Sequence, residues 1–182
     1  LHIIYYKINY TFSVILCSIY NVYVRSDKMI KDKDITSLVI AKYFLTKKSL
    51  TPKKIQKLVY YAYSWFIALN NQSENQISNF LFNEEPEAWI HGPVFPKLYR
   101  NFKDYNWNEV PKIEENIIFE NDDVTNFLDD IWSKFGGYSA DELEYMTHQE
   151  TPWLNARKNS SNGEKSNKKI SAKDIFNYYN AL

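Results

Sequence analysis

Two histidines and one glutamate are the side chains of this chain best suited to metal-assisted chemistry. His148 and Glu150 stand two positions apart, and His91 precedes a Gly-Pro pair. Histidine acts as a general base or a metal ligand near neutral pH. The three residues together would serve a metal-dependent hydrolase. Zinc sites normally need three or four protein ligands, and His91 is the one plausible partner for the other two, so structural roles are the preferred interpretation.

Other catalytic patterns are missing from the sequence. It contains no HExxH motif, no paired CxxC and no glycine-rich phosphate loop. The single cysteine, Cys17, excludes an intramolecular disulfide and a thiolate-rich metal site. Ser139 and Ser171 stand at predicted helix starts, and capping explains them better than a nucleophilic role. We therefore expect no enzymatic activity, no cofactor and no bound metal.

A group of lysines surrounds one predicted helix start. Its members are Lys47, Lys48, Lys53, Lys54 and Lys57. Such a stretch would contact phosphate groups in a nucleic-acid-binding regulator. The formal net charge is zero, from 22 basic and 22 acidic residues, whereas nucleic-acid binders usually carry a basic excess. We therefore interpret these lysines as a solvated face and expect no nucleic-acid partner.

A third group combines aromatic side chains with a tight turn. Its candidate binding residues are Trp89, His91, Pro93, Phe95, Tyr99 and Arg100. Aromatic residues are enriched in protein interfaces, where Trp and Tyr often anchor the contact. The same side chains would also serve to close a core. The residues alone leave both interpretations open.

One helix, predicted to start at Pro52 and to end at Asn70-Asn71, must position most of these groups. Thr51 is a suitable cap, and Pro52 fits the first helical position, where its missing N–H costs nothing. Apolar residues, including Leu69 near the end, occupy most of the circumference, which is typical of a helix buried among others. A preceding helix is predicted with Asp34 as its cap.

Further elements are predicted on both sides of this helix. The predicted helices begin near Val94, Val124, Ser139, Thr151 and Ser171. Residues 80–82 and 87–90 predict a small strand pair or an irregular extended segment, and residues 117–119 predict one more short strand. We expect an α+β, predominantly α fold, with a single domain of about six or seven helices and a small antiparallel β element.

The domain is predicted to span residues 29–182. Residues 1–28 form a leader whose apolar run is interrupted and short of the roughly 20 residues of a membrane span. Because the first methionine is Met29, we expect this leader to be untranslated or dispensable. The alternative is a genuine N-terminal membrane anchor. Residues 159–169 lack apolar side chains and predict a flexible loop.

Three sequence motifs follow one another in a characteristic order. They are KKIQKLVYYAYSW at residues 53–65, EAWIHGPVFPKLY at residues 87–99 and MTHQETPW at residues 146–153. In this order they resemble the Panacea domain of the SocA-like antitoxins, often described as phage-associated proteins. The resemblance covers roughly residues 34–182. Met146 stands where the family usually has leucine, which is a conservative difference.

The resemblance implies a cytoplasmic antitoxin of a toxin–antitoxin system. Such a protein binds a cognate toxin from an adjacent gene and neutralises it by direct contact. The aromatic segment defined above would then supply the toxin-binding residues. One branch of the family instead delivers its toxin to a protease as a proteolytic adaptor. Because the family pairs with many unrelated toxins, the identity of the toxin is not predicted.

Overall fold

The computed structural model describes residues 28–161 and 163–182. Seven α-helices lie in this part of the chain: α1 (Ser37–Lys47), α2 (Pro52–Asn70), α3 (Pro96–Phe102), α4 (Asp122–Phe135), α5 (Ala140–Gln149), α6 (Thr151–Arg157) and α7 (Ala172–Tyr179). The strands are β1 (Lys28–Ile30), β2 (Glu87–Trp89), β3 (Gly92–Val94) and β4 (Ile117–Phe119). The predicted, predominantly α fold with a small antiparallel β element is confirmed. None of the described helices is long and apolar enough to span a membrane.

The predicted leader lies outside the described residues, except for Lys28. That residue begins strand β1, so the first described strand overlaps the predicted domain boundary. Strands β1 and β4 pair in parallel, with Met29 opposite Ile118. The parallel pair is an addition to the antiparallel element that the sequence predicts.

Helix α2 is the centre of the core, as predicted. Thr51 Oγ1 accepts a hydrogen bond from the Lys54 backbone N–H at 3.3 Å, and Pro52 occupies the first turn. The helix packs against α1, α4, α5, α7 and β3, because its apolar side chains project in most directions. Leu69 departs from the predicted buried stripe, since it is 66 % exposed in the last turn.

Side-chain caps mark the starts of three of the other described helices, α1, α4 and α5. Helix α5 begins with the predicted capping box, in which Ser139 and Glu142 each bond to the other's backbone N–H. At α1 the prediction is wrong by two residues: Thr36 is the cap and accepts a hydrogen bond from Val39 N at 3.3 Å. Asp34 belongs to a preceding turn of 3-10 helix, Asp32–Asp34.

The antiparallel element is a tight hairpin of β2 and β3. Trp89 stands opposite Gly92, and Glu87 opposite Val94. Of the two alternatives predicted for residues 80–82, the strand that pairs with β2 is wrong and the irregular segment is correct. Those residues form no strand, and the partner instead follows directly after the turn.

The predicted flexible loop at residues 159–169 is attached to the hairpin at its end. Ala88 N donates to Lys168 O, and Ile170 N donates to Pro86 O, each at 2.8 Å. Farther back, Arg157 Nη2 donates to Glu164 O at 2.7 Å. The end of this segment therefore runs along the edge of β2, while the flexibility of the rest stays a prediction.

Candidate partner-binding groove

A groove with a volume of about 610 Å³ opens beside the hairpin. Its walls come from the first two turns of α2, from β2 and β3, from α3 and the residues after it, and from the start of α5. Because α2 is held by helices on several sides, the groove has a rigid floor. We refer to it below as the hairpin groove.

Aromatic side chains form one wall of the hairpin groove. The rings of Trp89 and Tyr99 meet edge to face, with centroids 5.0 Å apart. Tyr99 is 40 % exposed and Trp107 is 76 % exposed, although both line the groove. Asn106, which precedes Trp107, has a backbone φ of 52°. Non-glycine residues with a positive φ are uncommon, and strained backbone of this kind clusters at functional sites. The wall is therefore a set of large, accessible aromatic surfaces.

The ring and backbone of Trp89 are held from both sides. Its indole N–H donates to Glu87 Oε2 at 2.7 Å. Its carbonyl oxygen accepts from the indole N–H of Trp153 at 3.0 Å. These bonds link the hairpin to α6 and set the orientation of the aromatic wall.

The six candidate binding residues fall into three environments. Trp89, His91 and Tyr99 line the hairpin groove. Pro93 is buried in β3, and Phe95 is 0 % exposed within the core. Arg100 is exposed on α3. The structure thus brings three of the six together in the groove and gives Pro93 and Phe95 packing positions beneath it.

Lys57 is a groove residue that the sequence prediction missed. It is 1 % exposed, and its Nζ donates to Pro93 O at 3.0 Å. Burial lowers the pKa of this ammonium to about 7. The interpretation of the whole lysine stretch as a solvated face is therefore wrong at Lys57. Its position one helical turn before Tyr61, on a helix apolar nearly all round, is the signal that would have indicated burial.

A charged cluster surrounds Lys57 at the rim of the groove. Glu144 accepts a hydrogen bond from Lys53 Nζ at 2.7 Å, and its other oxygen lies 2.9 Å from His91 Nδ1. Burial opposes ionisation of Glu144, but the bonds from Lys53 and His91 outweigh it and lower the pKa of the carboxyl. Lys53 also bonds to Asp141. His91 is thus held at the rim by a carboxylate.

Glu150 serves as a buried acceptor between two helices. Its carboxylate accepts from the hydroxyl of Tyr61 on α2 at 2.9 Å and from that of Tyr179 on α7 at 2.7 Å. Burial raises the pKa of Glu150 to about 7, and the two hydroxyls offset part of that shift. The glutamate therefore fastens α7 to the central helix.

The structure does not bring His91, His148 and Glu150 together as the ligands of a metal ion. His148 stacks on Trp153 with ring centroids 4.1 Å apart, and burial lowers the pKa of its imidazole. His91 contacts Glu144, and Glu150 is bonded to tyrosines. Within residues 28–161 and 163–182, no three His, Cys, Asp or Glu side chains form a group able to hold a metal ion. The hydrolase hypothesis based on His91, His148 and Glu150 therefore lacks support.

A comparison with protein families matches the chain to the family described as "Antitoxin SocA-like, Panacea domain". It covers residues 55–154, more than half of the chain. The matched region includes the hairpin, α3, α5 and Lys57, and therefore most of the groove. Comparisons with curated proteins and with solved structures gave no match.

Proposed function

Because the chain belongs to the SocA-like antitoxin family that carries the Panacea domain, we propose that it neutralises a cognate toxin by direct protein–protein contact. The toxin would be the product of an adjacent gene, and the encounter would take place in the cytoplasm. The family match across residues 55–154 carries this proposal. We propose no catalytic role for the chain, since the antitoxin acts by binding.

The hairpin groove is the surface we propose for the toxin. Trp89, Tyr99 and Trp107 supply the large aromatic contacts that dominate the energetics of many interfaces. Arg100 and the partly exposed Tyr105 extend this surface beyond the groove. A specific interface of ordinary size buries about 800 Å² on each partner, and the groove with its aromatic surroundings would supply the centre of such an area.

Co-expression tests the proposed function directly. The product of the neighbouring gene is produced alone and together with this protein, and growth is followed. We expect growth arrest in the first case and recovery in the second. A neighbour that is harmless alone, or that stays toxic in the presence of this protein, would show that the proposal is wrong.

Replacing Trp107 with alanine is expected to weaken toxin binding roughly 30-fold, the effect of losing a central interface anchor. Its ring is 76 % exposed and contributes little to the core, so the free energy of unfolding should change little. Titration calorimetry with the purified toxin measures the affinity, and growth under co-expression measures protection.

Leu69→Ala is the matched control for Trp107→Ala. Leu69 is also a largely exposed apolar residue, but it lies 12 positions beyond Lys57 on α2, roughly 18 Å from the groove floor. We expect this variant to bind and protect as the wild type does. If the wild type, Trp107→Ala and Leu69→Ala bind the toxin with equal affinity, the toxin contacts another part of the surface.

A proteolytic adaptor would be distinguished by the lifetime of the toxin. Simple sequestration leaves the toxin intact, so its half-life should be the same with and without this protein. An adaptor would shorten the half-life in a normal strain, and deletion of the responsible protease would restore it. Immunoblotting after translation is stopped measures both cases.

A further inference from the structure

The ammonium group of Lys57 is incompletely paired at the floor of the hairpin groove. An ammonium has three donors, and one of them bonds to Pro93 O. Among the described residues, no carboxylate forms an ion pair with Lys57; the acidic group with the largest electrostatic effect on it, Glu144, bonds instead to Lys53 and His91. A buried charge without a counter-charge is unfavourable, so this position is suited to an incoming anion.

The lining of the groove is basic as well as aromatic. Lys53, Lys57 and Lys103 all line it, whereas Asp141 is the acidic residue in the lining. Asp141 is bonded to Lys53, which also pairs with Glu144 at the rim, so neither carboxylate is paired with Lys57 or Lys103. Three lysines thus stand against two carboxylates. The groove therefore presents a net positive charge beside an apolar wall. Complementarity requires a ligand that is negative at one point and apolar around it.

We propose, on the basis of the proposed antitoxin function, that the hairpin groove binds an acidic side chain of the toxin flanked by apolar residues. The carboxylate would accept hydrogen bonds from Lys57, and the neighbouring apolar residues would pack on Trp89 and Trp107. Lys57 is the buried ammonium at the floor, and its one positive charge matches a carboxylate better than it matches the higher charge of a phosphate group.

In the unbound protein, the protonation state of Lys57 favours the binding of such a ligand. Burial lowers the pKa of Lys57 to about 7, so the free amine is partly neutral near neutral pH and its desolvation is less costly. A bound carboxylate would favour the protonated form, since an opposite charge nearby stabilises an ammonium. The Lys57 side chain would thus become fully charged as its partner arrives.

Short peptides test the chemistry of the groove without the toxin. The full-length protein is titrated with acetyl-Leu-Glu-Leu-amide and, separately, with the matched acetyl-Leu-Gln-Leu-amide, and the indole N–H signals are followed by NMR. We expect the glutamate peptide to shift the signals of Trp89 and Trp107, which line the groove. The signals of Trp65 and Trp132, which do not line the groove, serve as internal references. Identical responses to the two peptides would overturn the inference.

Lys57→Met provides the matching change in the protein. Methionine is similar in length and suits a buried site. It removes the cost of a buried charge that has no counter-charge, but it leaves Pro93 O without its hydrogen bond from Lys57. We expect these two effects to offset each other, with an unfolding midpoint close to that of the wild type, and we expect no response of Trp89 or Trp107 to the glutamate peptide. Persistence of that response would overturn the inference.

With the toxin, Lys57→Met is expected to weaken binding roughly 30-fold or more, because truncation of a buried, hydrogen-bonded charge pair has effects of that size. Lys33→Met removes an exposed lysine away from the groove and should bind normally. If the wild type and Lys57→Met protect equally, the carboxylate inference is wrong and the antitoxin function stands. If the wild type fails to protect, the antitoxin function is wrong, and the peptide titration decides the chemistry of the groove.

Discussion

Replacing Gly92 with alanine is expected to lower the free energy of unfolding by roughly 2–5 kcal/mol, from backbone strain and overpacking together. Gly92 has a φ of 92°, a conformation that residues with a side chain rarely adopt. An added Cβ would also lie 2.8 Å from Lys57 Cε, from Lys57 Nζ and from Thr147 Oγ1. The hairpin would have to move away from α2 and α5, so Trp89 and His91 would leave their places in the groove.

Alanine substitutions at Gly163 and Gly137 separate the effect of backbone strain from the effect of overpacking. Gly163 has a φ of 81° with nothing within 4 Å of an added Cβ, so Gly163→Ala should show the strain alone, about 1–2 kcal/mol. Gly137 has neither a positive φ nor a close neighbour, and its substitution should change stability by less than about 0.5 kcal/mol.

Unfolding in guanidinium chloride, followed by circular dichroism, measures all three alanine variants against the wild type. A loss at Gly92 no larger than the loss at Gly163 would show that the close approach to Lys57 and Thr147 is relaxed without cost. Loss of protection in a Gly92→Ala protein that remains folded would connect the position of the hairpin to toxin binding.

The central helix could be predicted from the sequence because its signals are local. Thr51 and Pro52 act within one turn of the chain, and their capping chemistry does not depend on distant residues. The cap of α1 could not be predicted in the same way. Thr36 takes the position in place of Asp34, and the adjacent Ser37 bonds through its hydroxyl to Glu84 at 2.9 Å, a contact that no local pattern contains.

The strand pair was misplaced for a related reason. Leu81 and Phe82 are each 4 % exposed, and Phe82 packs on Tyr63 with ring centroids 5.1 Å apart. Their apolar character thus reflects core packing, whereas the sequence interpretation took it for strand pairing. The tight turn expected beside the aromatic residues is present, and the positive φ at Gly92 lets the chain turn directly into β3.

The candidate site was predicted where its residues are neighbours in sequence. Trp89, His91 and Tyr99 belong to one short segment. Its aromatic residues made it a candidate interface, and the family resemblance favoured that interpretation over core packing. Lys57 was missed because it was grouped with the neighbouring lysines, although its place on the apolar helix indicated burial. Its hydrogen-bond partner, Pro93 O, lies 36 positions farther along the chain and could not be predicted from local sequence. Phe95 was assigned to the binding surface because aromatic type does not distinguish an interface residue from a core residue.

The second large effect is expected from the pH dependence of stability at Glu150. Burial raises the pKa of this carboxyl from 4.5 to about 7. Between these two values the folded protein binds more protons at this group than the unfolded chain does. The contribution of Glu150 to stability is therefore fully present below pH 4.5 and is lost as the pH rises through about 7.

Glu150→Gln removes the charge while keeping an acceptor for Tyr61 or Tyr179, and a tyrosine hydroxyl is also able to accept from the new amide. We expect the variant to exceed the wild type in free energy of unfolding by roughly 1–3 kcal/mol at about pH 8 and to lose that advantage at about pH 5. Denaturant unfolding at a series of pH values gives this difference directly.

The difference between variant and wild type is the decisive quantity, because other buried groups titrate as well. The pKa values of Lys57 and His148 are lowered by burial, so each adds stability as the pH rises, opposite in sign to Glu150. Their contributions are common to both proteins and cancel in the difference. A difference that stays constant from about pH 5 to about pH 8 would show that Glu150 ionises as in the unfolded chain. The predicted dependence would instead show that folding raises the pKa of Glu150, as expected for a carboxyl buried between Tyr61 of α2 and Tyr179 of α7.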